Sequence, residues 1–164
     1  MTIQSKASAR YRVLADFRYE IRKFLTFSEN AARQAGLEPQ QHQALLAIKG
    51  LPPHNVATIS VLAERLQIVH HSAVELVNRL ETRKLIRRSR STPDRRAVVL
   101  NITPSGSKLL RDVTLPHVAE LKKEGKKLLQ ALNSVLNNKE ATYSRKDKTQ
   151  GKASATQRKG RARE

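Results

Sequence analysis

Residues 58–102 read TISVLAERLQIVHHSAVELVNRLETRKLIRRSRSTPDRRAVVLNI, and a change of periodicity inside this stretch decides the fold. Thr58 or Ser60 offers a cap for a short helix carrying Val61, Leu62, Ala63 and Leu66. After a break at Gln67–Val69, the series Ala73, Leu76, Val77 and Leu80 predicts a second helix over about 71–84. The period then drops from about 3.6 to 2. Ile86–Arg90 is a short basic strand, and 97–102 sets Val98, Leu100 and Ile102 on one face. Between them Ser91-Thr92-Pro93-Asp94-Arg95-Arg96 is a turn cluster, so the pair is expected to close as a hairpin with a basic tip.

Helices extend outward on both sides. Leu14, Phe17, Ile21, Phe24 and Leu25 recur at helical spacing, and Gly36 is placed to end that helix. Pro39 suits the first turn of the next, which runs through Ala44, Leu45, Leu46 and Ile48 to the stop at Gly50-Leu51-Pro52-Pro53. Downstream, Thr103-Pro104 restarts helix as cap and first residue. Leu109, Leu110, Val113, Val118 and Leu121 form an amphipathic stretch, where Pro116 is expected to kink or interrupt the helix. Gly125 is expected to be a joint before Leu128, Leu129, Leu132, Val135 and Leu136. Residues 139–164 lack Leu, Ile, Val and Phe and hold nine basic against three acidic side chains, a net of +6. With so little to bury, this tail is expected to be disordered.

The whole chain of 164 residues has 32 Lys and Arg against 14 Asp and Glu, a formal charge of +18. The first 138 residues therefore keep +12, and the body is basic in its own right. That surplus favours a polyanion, with nucleic acid first and an acidic membrane surface second. Without cysteine, disulfides, thiolate metal sites and thiol redox sensing are excluded. No signal-peptide core and no long apolar run occurs, so a soluble cytoplasmic protein with no membrane partner is expected. There is no glycine-rich phosphate loop, no nucleophile elbow and no carboxylate pair beside a histidine, so an enzyme is not expected and no cofactor is implied.

Two short helices, a tight turn and a basic hairpin follow the order of a winged helix-turn-helix. The second helix is narrow enough for a DNA major groove, and polar side chains must line it to meet base edges. His70, His71, Ser72, Glu75, Asn78 and Arg79 supply them. Eight basic side chains lie within 79–96: Arg79, Arg83, Lys84, Arg87, Arg88, Arg90, Arg95 and Arg96, against Glu81 and Asp94. Arg95 and Arg96 at the wing tip are expected at the backbone or the minor groove. Arg88 and Arg90 are counted with them as DNA contacts.

The stretches Ile59–Leu66, His71–Leu80, Asp94-Arg95-Arg96 and Leu100–Gly106 together resemble the MarR family of winged helix-turn-helix regulators. The resemblance extends to 36–42 and the terminal helices, leaving out only the tail. It implies an α+β, mostly helical fold: a DNA-binding lobe over 37–103, with dimerisation helices over 8–36 and 104–138. It implies a homodimer acting on double-stranded DNA, with Arg96 at the minor groove and Asp94 fixing the wing arginines. Ser72 and Asn78 match polar positions on the recognition helix. Relatives often bind a small-molecule effector; nothing in this sequence names one. Many relatives carry a Ser/Thr-rich start to the recognition helix and a glycine after it, where this chain has Val69-His70-His71 and Lys84. Glu75 repels phosphate and is suited to accepting from a cytosine amino group.

Plainer readings compete. Adjacent histidines project in different directions, so His70-His71 fits a groove or solvent face better than a metal site. His42, His54 and His117 lack ligand spacing and are read as structural. Lys122-Lys123 and Lys126-Lys127 are read as solvated faces. The stripe Leu14, Phe17, Ile21, Phe24 with Leu128, Leu132, Val135 and Leu136 lies outside the lobe and is read as an intersubunit core. The rival function is non-specific nucleic-acid binding or packaging. Aromatic content of 4%, with none in the recognition region, disfavours single-strand stacking.

Overall fold

A computed structural model describes residues 3–90 and 98–137, with side chains from residue 8 onward. The elements run α1 (Ile3–Gln34), α2 (Pro39–Lys49), α3 (Ile59–Leu66), α4 (His70–Thr82), β1 (Ile86–Arg90), β2 (Val98–Ile102) and α5 (Pro104–Asn137). The wing tip with Asp94, Arg95 and Arg96, and the expected tail over 139–164, lie outside the described residues.

Local chemistry sets most boundaries. Gly36 takes φ +77°, and bonds from its N–H to the Arg33 carbonyl and from the Leu37 N–H to the Ala32 carbonyl close α1. Pro39 opens α2, where Glu38 and Gln41 form a capping box. Thr58 caps α3, its Oγ1 accepting from the Val61 N–H at 3.3 Å. Gln67, left-handed at φ 53°, ends α3 and forces the turn.

The recognition-helix expectation of about 71–84 is shortened. α4 starts one residue earlier and stops at Thr82, because Lys84 adopts φ 57° and cannot continue a right-handed helix. A larger correction concerns α5, which passes through Pro116 and Gly125 without interruption. Proline removes one backbone donor. Val113 and His117, buried on either side of it, provide packing that holds the helix.

Residues divide into two compact units: Ile21–Lys126, and the stretches up to Glu20 and from Lys127. In the first, Leu37, Leu45, Leu62, Leu76, Leu80, Ile86, Leu100 and Val113 form one apolar core. Leu, Ile and Val side chains so fully buried stabilise by about 1.5–3 kcal/mol each. Strands β1 and β2 pair antiparallel, Ile86 opposite Ile102 and Arg88 opposite Leu100. The Leu100 N–H also donates to the Ala57 carbonyl at 2.7 Å, tying the hairpin to the segment before α3.

The Thr-Pro-Ser-Gly stretch docks the start of α5 on the chain after α4. Thr103 Oγ1 donates to the Lys84 and Leu85 carbonyls, at 2.7 and 3.1 Å, and accepts from the Gly106 N–H. At Gly106 a Cβ would stand 2.1 Å from the Leu85 carbonyl oxygen, so only glycine fits. In the second unit Leu14 is half exposed and Leu136 is 70% exposed. Tyr11, Tyr19 and Leu129 are also exposed there, while Phe17, Leu128, Leu132 and Val135 are half-buried.

Candidate nucleic-acid interface

Helix α4 is two-faced. Ala73, Leu76, Val77 and Leu80 are buried against the core, and His71, Glu75, Asn78 and Thr82 form an exposed stripe at i, i+4, i+7 and i+11. Packing from behind therefore fixes which side chains can meet a groove. His71 Nε2 lies 3.1 Å from Glu75 Oε1, so two expected contact residues also touch each other. Ser72 is half-buried at the edge of the stripe, and His70 is exposed at the helix start.

Arg79, seven residues after Ser72, lies on the same edge and lines an open cleft of about 440 Å³ with Leu76, Glu29, Arg33 and Gln41. Arg83, counted in the sequence with the DNA-facing charges, is engaged elsewhere. Its Nη1 donates to Gln41 Oε1 at 2.5 Å and its Nη2 to the Gly36 carbonyl at 2.7 Å. It ties the end of α4 to the α1–α2 turn.

Arg87 and Arg90 on β1 are exposed. Arg88 is not free in that way. Its Nη1 meets Glu81 Oε2 at 2.5 Å, its backbone N–H donates to Glu81 Oε1 at 3.1 Å, and its Nη2 donates to Asn78 Oδ1 at 2.6 Å. Strand alternation explains this placement, since Arg88 shares its face with buried Ile86 and points back toward α4. Arg88 and Asn78, both expected at DNA, thus meet each other, a pairing that no local pattern in the sequence reveals.

Val69 was also missed as a surface residue. It precedes α4 with 70% of its surface exposed, an apolar group at the front of a polar face. The signal was its position at the helix cap, where no core neighbour is available.

A second cluster pairs two histidines that the sequence marks only as structural, without showing that they meet. His42 on α2 and His117 on α5 are buried with ring centroids 4.8 Å apart, and Phe24 and Phe27 on α1 pack edge-on to His117. His117 Nδ1 donates to the Val113 carbonyl at 2.6 Å, and Nε2 shares a 2.7 Å bond with the Ser28 hydroxyl. Burial lowers the pKa of His42 below its ordinary value, and neighbouring His117 lowers it further. His54 is exposed. Among the described residues, no group of three His, Asp or Glu is placed to hold a metal ion. No described helix is long and apolar enough to cross a membrane.

A helix pair with one buried and one polar face, followed by an antiparallel basic hairpin, defines the winged helix-turn-helix class. Residues 35–97 match the model of the MarR family. The chain is 32% identical over 71 residues to the HTH-type transcriptional repressor MdtR of Bacillus subtilis (strain 168). That match spans 43% of this chain and 44% of the relative, so less than half the length of each. Among solved structures, the MarR family transcription regulator SP03579 is similar at TM-score 0.68 and 19% identity, covering 83% of this chain and 91% of that one. An S. aureus MepR variant bound to an oligodeoxyribonucleotide is similar at TM-score 0.54 and 20% identity, covering 90% and 95%. These likenesses extend the fold beyond the matched segment.

Proposed function

We propose that this chain is a transcriptional regulator that binds double-stranded DNA sequence-specifically as a homodimer and acts as a repressor. The observation that carries this is the exposed stripe of α4, polar along its length and held rigidly from behind, beside the basic strand β1. In this reading α4 enters the major groove, and His70, His71, Ser72, Glu75, Asn78 and Arg79 are its contact set. Arg90, Arg95 and Arg96 meet the backbone or minor groove, and Asp94 orients them. Repression is proposed because the matched relative is named a repressor.

The exposed apolar side chains of α1 and α5, Leu14 and Leu136 among them, support a second copy as their cover. The dimerisation set is Leu14, Phe17, Ile21, Phe24, Leu128, Leu132, Val135 and Leu136. Two-fold symmetry then calls for a near-palindromic site with half-sites about one helical turn apart, roughly 34–36 Å.

Selection from a randomised duplex pool tests the reading against the packaging alternative. A regulator enriches one motif and binds it roughly a thousandfold or more over random duplex. Equal affinity for all duplexes would select the packaging protein.

A further inference from the structure

Asn78 is the one amide on the exposed face of α4, and its orientation is set from outside the helix. Its Oδ1 accepts from Arg88 Nη2 at 2.6 Å. The guanidinium is fixed in turn by Glu81, which takes Arg88 Nη1 on one carboxylate oxygen and the Arg88 backbone N–H on the other. Helix α4 thus supplies both ends of a clamp, Glu81 and Asn78 at i and i−3, and strand β1 supplies the arginine between them. Arg88 keeps 29% of its side chain exposed and has its charge met by a carboxylate, a poor starting point for a phosphate contact.

The geometry points to Arg88 as a positioning residue that turns Asn78 into a donor-only reader, so that α4 prefers guanine where Asn78 meets the DNA. This rests on the proposed DNA-binding function. An unconstrained asparagine reads adenine with both ends of its amide, accepting from N6 and donating to N7. Here the carbonyl is drawn toward β1 and held by Arg88, and on this proposal the NH2 group is the end of the amide that meets the groove. Guanine offers two acceptors there, O6 and N7, and satisfies a donor. Adenine would bring its own N6 amino group against the Asn78 amino group, cytosine presents only a donor, and thymine offers the single acceptor O4 beside its methyl group, one fewer than guanine.

The clamp also separates the basic charges of the hairpin into two jobs. Arg87 and Arg90, exposed and on the same strand, remain available to phosphates. Arg88 acts on the DNA only through Asn78. Its loss should change which base is chosen without changing how many counterions binding releases.

The test uses the full chain, randomised duplex selection and salt titration, with Arg88→Lys, Glu81→Gln, Asn78→Ala and the Asn78→Ala/Arg88→Lys pair. Lysine keeps the charge but cannot hold carboxylate and amide together. Wild type is expected to prefer guanine over adenine about tenfold at the position whose preference Asn78→Ala abolishes. Arg88→Lys is expected to reduce that preference to roughly threefold or less with the salt slope unchanged, and to add nothing to Asn78→Ala in the pair. Glu81→Gln is expected to relax the same position and, by releasing Arg88 to phosphate, to steepen the slope by about 0.9 per protomer. Arg88→Lys that keeps the base preference, or an adenine preference in wild type, overturns the proposal. The side-chain amide resonances of Asn78 in the free protein give an independent reading. If they do not move in Arg88→Lys, the clamp is absent. If they move but wild type enriches no motif, the clamp stands, and the regulator reading and the guanine preference fail together.

Discussion

At the residue scale, two positions show how far a motif can be understood from physics. Thr103-Pro-Ser-Gly106 was legible as a helix start, but the need for glycine follows from the Leu85 carbonyl, which no local pattern reveals. Gly106→Ala is expected to cost about 1–3 kcal/mol, because that oxygen belongs to the backbone and yields only with its segment. Thermal melting checks it. Lys84 presents the opposite case, an L residue at φ 57° in the turn after α4. Lys84→Gly is expected to stabilise the fold by up to about 1 kcal/mol by relieving the left-handed backbone; an unchanged or lower melting temperature would refute the strain. The His42–His117 pair was invisible in the sequence, because residues so far apart meet only through the packing of α2 on α5. Its sign is fixed. Above the ordinary imidazole value near 6.5 both folded and unfolded chains hold His42 neutral. Below it the unfolded chain binds a proton that the folded chain resists, so stability falls as the pH drops. Melting temperature between about pH 7 and pH 5 should therefore fall more steeply in wild type than in His42→Gln, and parallel curves would acquit His42.

At the element scale, caps and alternation were readable and long helices less so. Gly36, Pro39 and Thr58 each do locally what their chemistry dictates, which is why the first three helix boundaries follow from sequence. Thr58→Ala is expected to cost about 1 kcal/mol, since the Val61 N–H loses its partner. Chemical denaturation measures it, with the midpoint shifting at constant slope. Pro116 does not interrupt α5, because its cost is local while the packing of Val113 and His117 is tertiary. Charge counting along 79–96 likewise says nothing of partners within the chain. Arg83 and Arg88 look equivalent to their neighbours in sequence, and only the fold brings Gln41, Gly36, Glu81 and Asn78 to them.

At the scale of the whole molecule, the exposed leucines of the terminal helices make the oligomeric state the central expectation. Sedimentation at micromolar concentration should give a dimer, and Leu14→Glu with Leu136→Glu should shift it toward monomer while the Ile21–Lys126 unit stays folded. A wild-type monomer would remove the basis for paired half-sites. Cutting the chain after Asn138 tests the basic tail, whose net +6 lies beyond the last described helix. Folding and dimerisation should be unaffected. Affinity for specific and random duplex should fall by a similar factor at low salt, with the gap narrowing as salt rises. A loss confined to the specific site would instead assign the tail a sequence-reading role.

The two faces of α4 also have a consequence for descent. On the buried side Ala73, Leu76, Val77 and Leu80 are held by close packing, where even a methyl group more or less is felt. On the other side His71, Glu75 and Thr82 touch no part of the core, so exchanging them leaves the fold almost indifferent. On the proposed DNA-reading role, a lineage can therefore rewrite its target vocabulary one surface residue at a time without passing through an unfolded intermediate. His71 and Glu75 are tied only to each other, whereas Asn78 is tethered to another element through Arg88, which Glu81 holds, and a change there has to be matched by two partners. Drift along this helix should be quick at three positions and coordinated at the fourth.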